Sequence, residues 1–359
     1  MPIKAGIVYS SSGVLERACV WIRDGIVESI GSWAACPREY YGGPDILVLP
    51  QPANMHVHSA DWLWQEYGSM LDLDELVAEP HGLKHRRLRT VDRRLLTESA
   101  LQAYRAAWDR GTGLLVDFRE LGGLGCTTAR EALHMAPEGL DVIVLGRPGP
   151  GWPQGCMGLG ISSPLAYDDL ASVVDGIEGP RATHIAETRR AREMHDLELA
   201  LEHGFNILVH GVHLDRRDLE AIAERGIGLV MAPRSNMWHG VGLPPIVEAL
   251  EAGVTLAVGS DNASWAEPDV WLDAAMLLYI ARLRGERGAS RRLVEALFYN
   301  GYRLLGREPK EAREGGEASF LMARLPGEPA RVESLEDWIL KRAGARLVAR
   351  VDRGDLSPL

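Results

Sequence analysis

The chain has 359 residues, 46% of them hydrophobic and 25% charged, and a formal net charge of −11. That length suits one large domain with a smaller companion. The acidic balance argues against nucleic-acid binding, which relies on a basic surface. Basic residues are nearly all arginine, with lysine only at positions 4, 84, 310 and 341. Four cysteines (Cys19, Cys36, Cys126, Cys156) are widely spaced and form no CxxC. Neither a disulfide framework nor a zinc knuckle is expected, and a reducing cytoplasm fits. No apolar run approaches ~18 residues, and MPIKAGIVYS lacks the apolar core of a signal peptide. The expectation is a cytoplasmic protein with no membrane partner.

In chain order, Ala5–Tyr9, Cys19–Arg23 and Ile26–Ile30 are β-rich runs, and Asp24-Gly25 signals a hairpin between the last two. Such a meander is too small to bury a core alone. Strand-like Ser319–Ala323 and Leu347–Val351 return at the other end. One composite β-sandwich domain from both termini, 1–48 with 313–359, is the economical reading.

Between them, 49–312 alternates strand-like and helix-like segments. The apolar run Ile46–Leu49 is followed by Gly113–Phe118, Asp141–Gly146, Met157–Ser162, Ala182–Ala186, Asn206–His210, Gly228–Ala232 and Thr255–Gly259. Eight such units in roughly 260 residues predict a (β/α)8 TIM barrel, with a doubly wound sheet as the alternative. The long connection after the first unit, roughly Ser59–Arg94, has the length of a lid.

The site logic favours the barrel. His56 and His58 stand at i and i+2 of an extended segment, so both imidazoles point to one side. His184, His210 and Asp261 each end an apolar run at the C-terminal end, where barrel active sites are built. A lone strand-end histidine is commonly structural; four with an acid at corresponding strand ends suggest a metal centre. A closed ring brings the ends of its first, fifth, sixth and eighth strands to one point.

These motifs, HVH at 56–58, HIAE at 184–187, VHGVHL at 209–214, APRSN at 232–236 and GSDN at 259–262, resemble those of the amidohydrolase superfamily across essentially the whole chain. The most similar subgroup holds cytosine-deaminase-like and chlorohydrolase-like enzymes. The resemblance implies that His56, His58, His184 and Asp261 bind one divalent metal, zinc first and iron second. It implies that Asp261 also accepts a proton, that His210 hydrogen-bonds the reacting oxygen, and that Glu187 carries protons. Binuclear members use a lysine from the fourth strand. No lysine lies in Gly155–Ser162, so the resemblance implies a mononuclear site. The usual PGxxDxHxH is altered to Pro52-Ala53-Asn54-Met55-His56, with the ligand pair intact.

Trp62, Trp64, Trp152, Trp238 and Trp265 follow predicted strands and could stack a planar ring or pack a lid. Arg119, Arg147 and Arg234 also follow strands and suggest an anionic substrate group, although each alone also reads as a loop salt bridge. The charge-dense Lys84–Arg89 run reads chiefly as a solvated helix face, and otherwise as a lid that gathers substrate or meets a partner subunit. The expected activity is hydrolytic deamination of an amino-substituted N-heterocycle by a protein that could be a homodimer. Hydrolysis of a cyclic amide, as in imidazolonepropionase-like members, is one alternative. A metal-binding regulator without turnover is the other.

Overall fold

The computed structural model describes residues 1–327 and 331–359; positions 328–330 of the C-terminal stretch assigned to the composite domain lie outside the described residues. The first strands are β1 (Pro2–Ser10), β2 (Gly13–Arg23), β3 (Ile26–Ser32) and β4 (Tyr41–Leu49). Asp24 and Gly25 both take positive φ, 50° and 77°, as a two-residue hairpin turn between twisted strands requires.

The barrel strands are β5 (Ala53–His58), β6 (Leu114–Arg119), β7 (Asp141–Gly146), β8 (Gly158–Ile161), β9 (Arg181–Ile185), β10 (Ile207–His210), β11 (Gly228–Met231), β12 (Thr255–Val258) and β13 (Asp261–Asn262). The chain ends with β14 (Phe320–Arg324), β15 (Leu347–Asp352) and β16 (Asp355–Pro358).

Strands from both termini form one sheet in the order β16-β15-β14-β4-β1-β2-β3. It curls back on itself: Val27 N donates to Gly316 O, and Gly315 N to Val27 O. Its inner face buries Ile3, Val20, Val48, Phe320 and Met322. The apolar run Ile46–Leu49 belongs here, paired with β1 and β14, and is not the first barrel strand as the sequence suggested. The first barrel strand is β5, and the two histidines lie inside it. A fully buried run carries no mark of which sheet it joins, so periodicity could not separate the two.

The barrel strands are parallel and follow chain order around the ring. The eighth strand closes it in two pieces, β12 pairing with β11 and β13 with β5. Gly259 lies between them, and a Cβ there would stand 2.7 Å from the His56 Cβ and 2.9 Å from Val230. Only glycine allows this approach. The long connection from β5 folds into short helices, Leu73–Val77 and Leu83–Leu88, before the barrel helix Arg93–Asp109. Among the described residues, no helix is long and apolar enough to cross a membrane.

The cysteine expectation is overturned. Cys19 is bonded to Cys36, Cys126 is bonded to Cys156, and no cysteine is free. Sequence spacing missed this because the pairs meet through tertiary packing. β2 lies beside the β3 hairpin arm that leads to Cys36, and the helix Gly122–Leu133 packs against the loop leaving β7. The bridges span 17 and 30 residues, for which loop-closure entropy gives about 3–4 kcal/mol each. Thiol titration in denaturant should therefore find no reactive cysteine before reduction and all four afterwards, with a lower unfolding midpoint in reductant. Four reactive thiols before reduction would contradict the pairing.

Candidate active site

His56 and His58 project from β5 into the barrel mouth and are essentially inaccessible, at 0% and 2% exposure. His184 comes from β9, His210 from the end of β10, and Asp261 from the start of β13. His210 and Asp261 have left-handed φ of 73° and 63°. Such strain in non-glycine residues is held by surrounding structure and clusters at functional sites. Here it turns both side chains toward the barrel axis.

Asp261 Oδ1 lies 3.2 Å from His56 Nε2 and 3.6 Å from His58 Nε2. The His184 ring is 4.9 Å from that of His56 and 4.8 Å from that of His210. Buried and without hydrogen-bond partners are both ring nitrogens of His56, and Nε2 of His184 and of His210. Leaving such atoms unpaired costs roughly 1–3 kcal/mol each, and a cation would remove that cost at the nitrogens that bind it. Burial lowers the pKa of His56, takes His58 down to about 3 with Lys84 adding to the effect, and with the neighbouring imidazoles holds His184 well below its usual value. Neutral imidazoles offer lone pairs, the form a metal requires. Burial works against ionised Asp261, but the His56 ring nitrogen 3.2 Å away and the adjacent histidines keep it well below the usual carboxylate range. Three imidazoles and one carboxylate form a donor set that fits zinc or iron.

Surrounding groups aim this set. Asp261 Oδ2 accepts from Ser235 Oγ, which leaves Oδ1 facing the histidines. Asn236 Nδ2 lies 3.0 Å from His210 Nδ1; in the tautomer in which Nδ1 accepts, the ring proton of His210 sits on Nε2, 3.7 Å from Glu187 Oε1. In this tautomer His210 is a hydrogen-bond donor and not a ligand. Burial raises the Glu187 pKa, with His210 opposing, and so brings that carboxyl toward the range useful for proton transfer. His58 Nδ1 lies 2.9 Å from Glu120 Oε1, the carboxylate–histidine pairing that fixes the tautomer of a metal ligand.

A cavity of about 510 Å³ opens above these groups, large enough for a small heterocyclic molecule. Its walls include Val77, Leu165 and Ile185 together with Arg147 and Trp265. Of the eight side chains expected to meet substrate, only Arg147 and Trp265 line it. Arg119 is enclosed, donating to Gly125 O, Ser59 Oγ and Thr128 Oγ1. Arg234 is bound to Asp273 and to the carbonyls of Glu267 and Asp269. Arg147 itself pairs with Glu79 and approaches Glu120 at 3.5 Å. The anionic-group expectation thus loses two of its three arginines to internal partners outside the cavity. Trp62 packs on the core beside β6, Trp152 lies over Gly146, and Trp64 stacks near Arg87. Trp238 is 49% exposed and outside the cavity. These four pack the scaffold or face solvent.

Sequence reasoning gave no role to Asp61, Glu120, Ser235 and Asn236, and read Lys84 only as part of a charged run. Lys84 is 3% exposed, its Nζ 2.9 Å from Asp61 Oδ2 and 2.6 Å from Glu120 Oε1. Its helix is therefore not a solvated face: it buries Lys84, His85 and Leu88. The available signal was a single lysine in an arginine-rich segment. Ser235 and Asn236 lay within a motif already noted, without a role.

Comparisons with known proteins agree with this geometry. A family model described as "Amidohydrolase family" matches residues 180–323. A protein of Methanothermobacter thermautotrophicus, provisionally described as an aminohydrolase, is 30% identical over 74% of this chain and 76% of its own. A 5-methylthioadenosine/S-adenosylhomocysteine deaminase of Syntrophomonas wolfei is 26% identical over 72% of this chain and 67% of its own. Among solved structures, a zinc-bound adenosine deaminase of Xanthomonas campestris superposes with a TM-score of 0.76 at 17% identity, covering 100% of this chain and 92% of that one. Zinc-bound atrazine chlorohydrolase of Arthrobacter aurescens gives 0.76 at 16%, covering 99% and 94%; these two establish the shared fold. With its relative at 30% identity over 74% of the chain and the family model spanning His184, Glu187, His210 and Asp261, the protein belongs to the amidohydrolase family.

Proposed function

We propose that the protein is a metal-dependent aminohydrolase that removes ammonia from an amino-substituted N-heterocycle, using one divalent ion, zinc before iron. One observation carries this reading: unpaired, neutral His56 and His184 converge with His58 and ionised Asp261 at the floor of the cavity, with Glu187 on its wall. His56, His58, His184 and Asp261 would hold the ion. The ion would supply Lewis acidity that lowers the pKa of water toward ~7.

The remaining chemistry falls to the chain. Asp261, fixed by Ser235, takes up the proton lost from water. His210 Nε2–H donates to the oxygen that adds to the substrate carbon. Glu187, entering protonated, delivers its proton to the adjacent ring nitrogen; the proton held by Asp261 passes to the amine, which leaves as ammonia, and the added hydroxyl returns its proton to Glu187 as the carbonyl forms. Trp265 and Arg147 position the ring from the cavity wall. Purine nucleosides are the first substrates to try, since the deaminase relatives are named for methylthioadenosine and S-adenosylhomocysteine. A cytoplasmic location belongs to the same proposal, and the two disulfides are compatible with it where a cytoplasm retains such bonds, as in hyperthermophiles.

A homodimer is also proposed. The helix Val270–Leu283 is apolar nearly all round, and a helix of that kind is covered in its native setting. Leu272, Tyr279 and Leu283 lie on one outward stripe, 51%, 57% and 78% exposed, with half-buried Met276 between them. Trp238 stands on the neighbouring helix, which Arg234–Asp273 ties to this one. At ~200 Å² per large side chain the patch is roughly 450 Å², over half of the ~800 Å² a stable partner covers. A second copy packing about a two-fold axis would complete the area.

Two measurements test these readings. Release of ammonia should be seen from at least one member of a purine, pyrimidine, pterin and triazine panel, and Glu187→Gln should lower kcat by roughly 10²–10⁴ with bound metal retained. Ring opening to an acid without ammonia would move the assignment to a cyclic amide hydrolase, and no turnover despite tight metal binding would favour a regulator. Sedimentation should show a dimer that Leu283→Glu converts to monomer; a monomeric parent at micromolar concentration would exclude the interface.

A further inference from the structure

The most unusual charge in the molecule is Lys84. It reaches from the helix Leu83–Leu88 of the long connection into the barrel mouth, where its ammonium is enclosed by Asp61 and Glu120. Both carboxylates are themselves buried, at 0% and 3% exposure. Asp61 also accepts from Asn262 Nδ2 at 2.7 Å and Tyr67 Oη at 3.3 Å. Together with His58, these two acids place three ligand atoms within 4.8 Å of one another, a spacing suited to a metal ion. The group is therefore a cation pocket, and a side chain of the protein fills it.

The choice of lysine is informative. Among 39 basic residues only four are lysine. An ammonium is a compact point charge, whereas the planar fork of arginine needs more room and a bidentate partner. Two carboxylate oxygens from the segments that follow β5 and β6, 2.9 and 2.6 Å from one nitrogen, call for the compact ion.

The pocket is connected to the candidate metal site. Glu120 Oε1 is shared between Lys84 Nζ and His58 Nδ1, and the opposite ring nitrogen, Nε2, faces Asp261. Beside Lys84, Glu120 Oε1 stands 2.9 Å from His58 Nδ1, where its charge favours the Nδ1–H tautomer that presents the Nε2 lone pair. Without a cation in the pocket, two buried carboxylates face each other with only Arg147, 3.5 Å from Glu120 and already paired with Glu79, to offset them, and Glu120 is less firmly fixed. Removing one partner of such a group leaves an uncompensated buried charge.

We propose that Lys84 is a built-in cation: its ammonium occupies a second cation pocket formed by Asp61 and Glu120 beside His58, and through Glu120 sets the orientation in which His58 meets the metal. Lys84 is thus a positioning residue. The inference rests on the metal-site reading given above and extends it.

The test is zinc affinity by chelator competition, on wild type, Lys84→Ala and Lys84→Met, with circular dichroism confirming the fold. Zinc should bind roughly 10- to 100-fold more weakly to both variants, the range for lost partners of a metal ligand. Millimolar methylammonium should restore most of the affinity of Lys84→Ala, whose cavity admits it, and leave Lys84→Met, which keeps the side-chain volume without the charge, unrescued. Wild-type affinity in Lys84→Ala would overturn the inference, as would a weakening that methylammonium does not reverse. If only Lys84→Met folds, its affinity decides, and wild-type affinity there overturns the inference equally. Failure of the wild type to bind zinc is a different result, and it would instead overturn the metal-site reading.

Discussion

Asp261 meets His56 and His58 because the eighth barrel strand does not run straight. After pairing with β11 it breaks at Gly259-Ser260 and re-forms as β13 against β5. The same break closes the ring and delivers a carboxylate to histidines some two hundred residues away in sequence. It depends on a glycine pressed against the His56 Cβ and on a left-handed aspartate. Both features cost local stability, and both are held by the close-packed barrel around them.

Around that junction the structure balances charge in a space with little water. Burial drives the histidines toward their neutral form, and Asp261, 3.2 Å from His56 Nε2, is held below the usual carboxylate range. On the other side of His58, the Lys84 ammonium holds Glu120 ionised against the effect of burial. The two halves meet in one imidazole, which faces Asp261 with one nitrogen and Glu120 with the other. The long connection after β5 is therefore anchored into the site by charge as well as by apolar contacts such as Leu88 with Ala60.

Much of this is legible in the sequence, for identifiable reasons. Strand alternation alone puts His56 and His58 on one face, and the barrel rule places His184, His210 and Asp261 at one rim. The sequence does not reveal what lies opposite a charged side chain. Arg119, Arg147, Arg234 and Lys84 all sit after strands or on a polar segment; all four are engaged by internal partners, and two of them, Arg147 and Lys84, also border the cavity. Cysteine pairing was hidden in the same way, since Cys126 and Cys156 become neighbours only once the helix Gly122–Leu133 packs against the loop after β7. The apolar run Ile46–Leu49 was placed in the wrong sheet because burial on both faces erases the alternation that marks a half-exposed strand.

The central claim is that this cluster is a metal centre, and metal content is its most direct measure. Elemental analysis of protein purified without added metal, or reconstituted with zinc, should give about one divalent ion per chain. His56→Ala, which removes one donor from the centre of the cluster, should lose it while remaining folded. No stoichiometric metal after reconstitution, or a full complement in His56→Ala, would contradict the account.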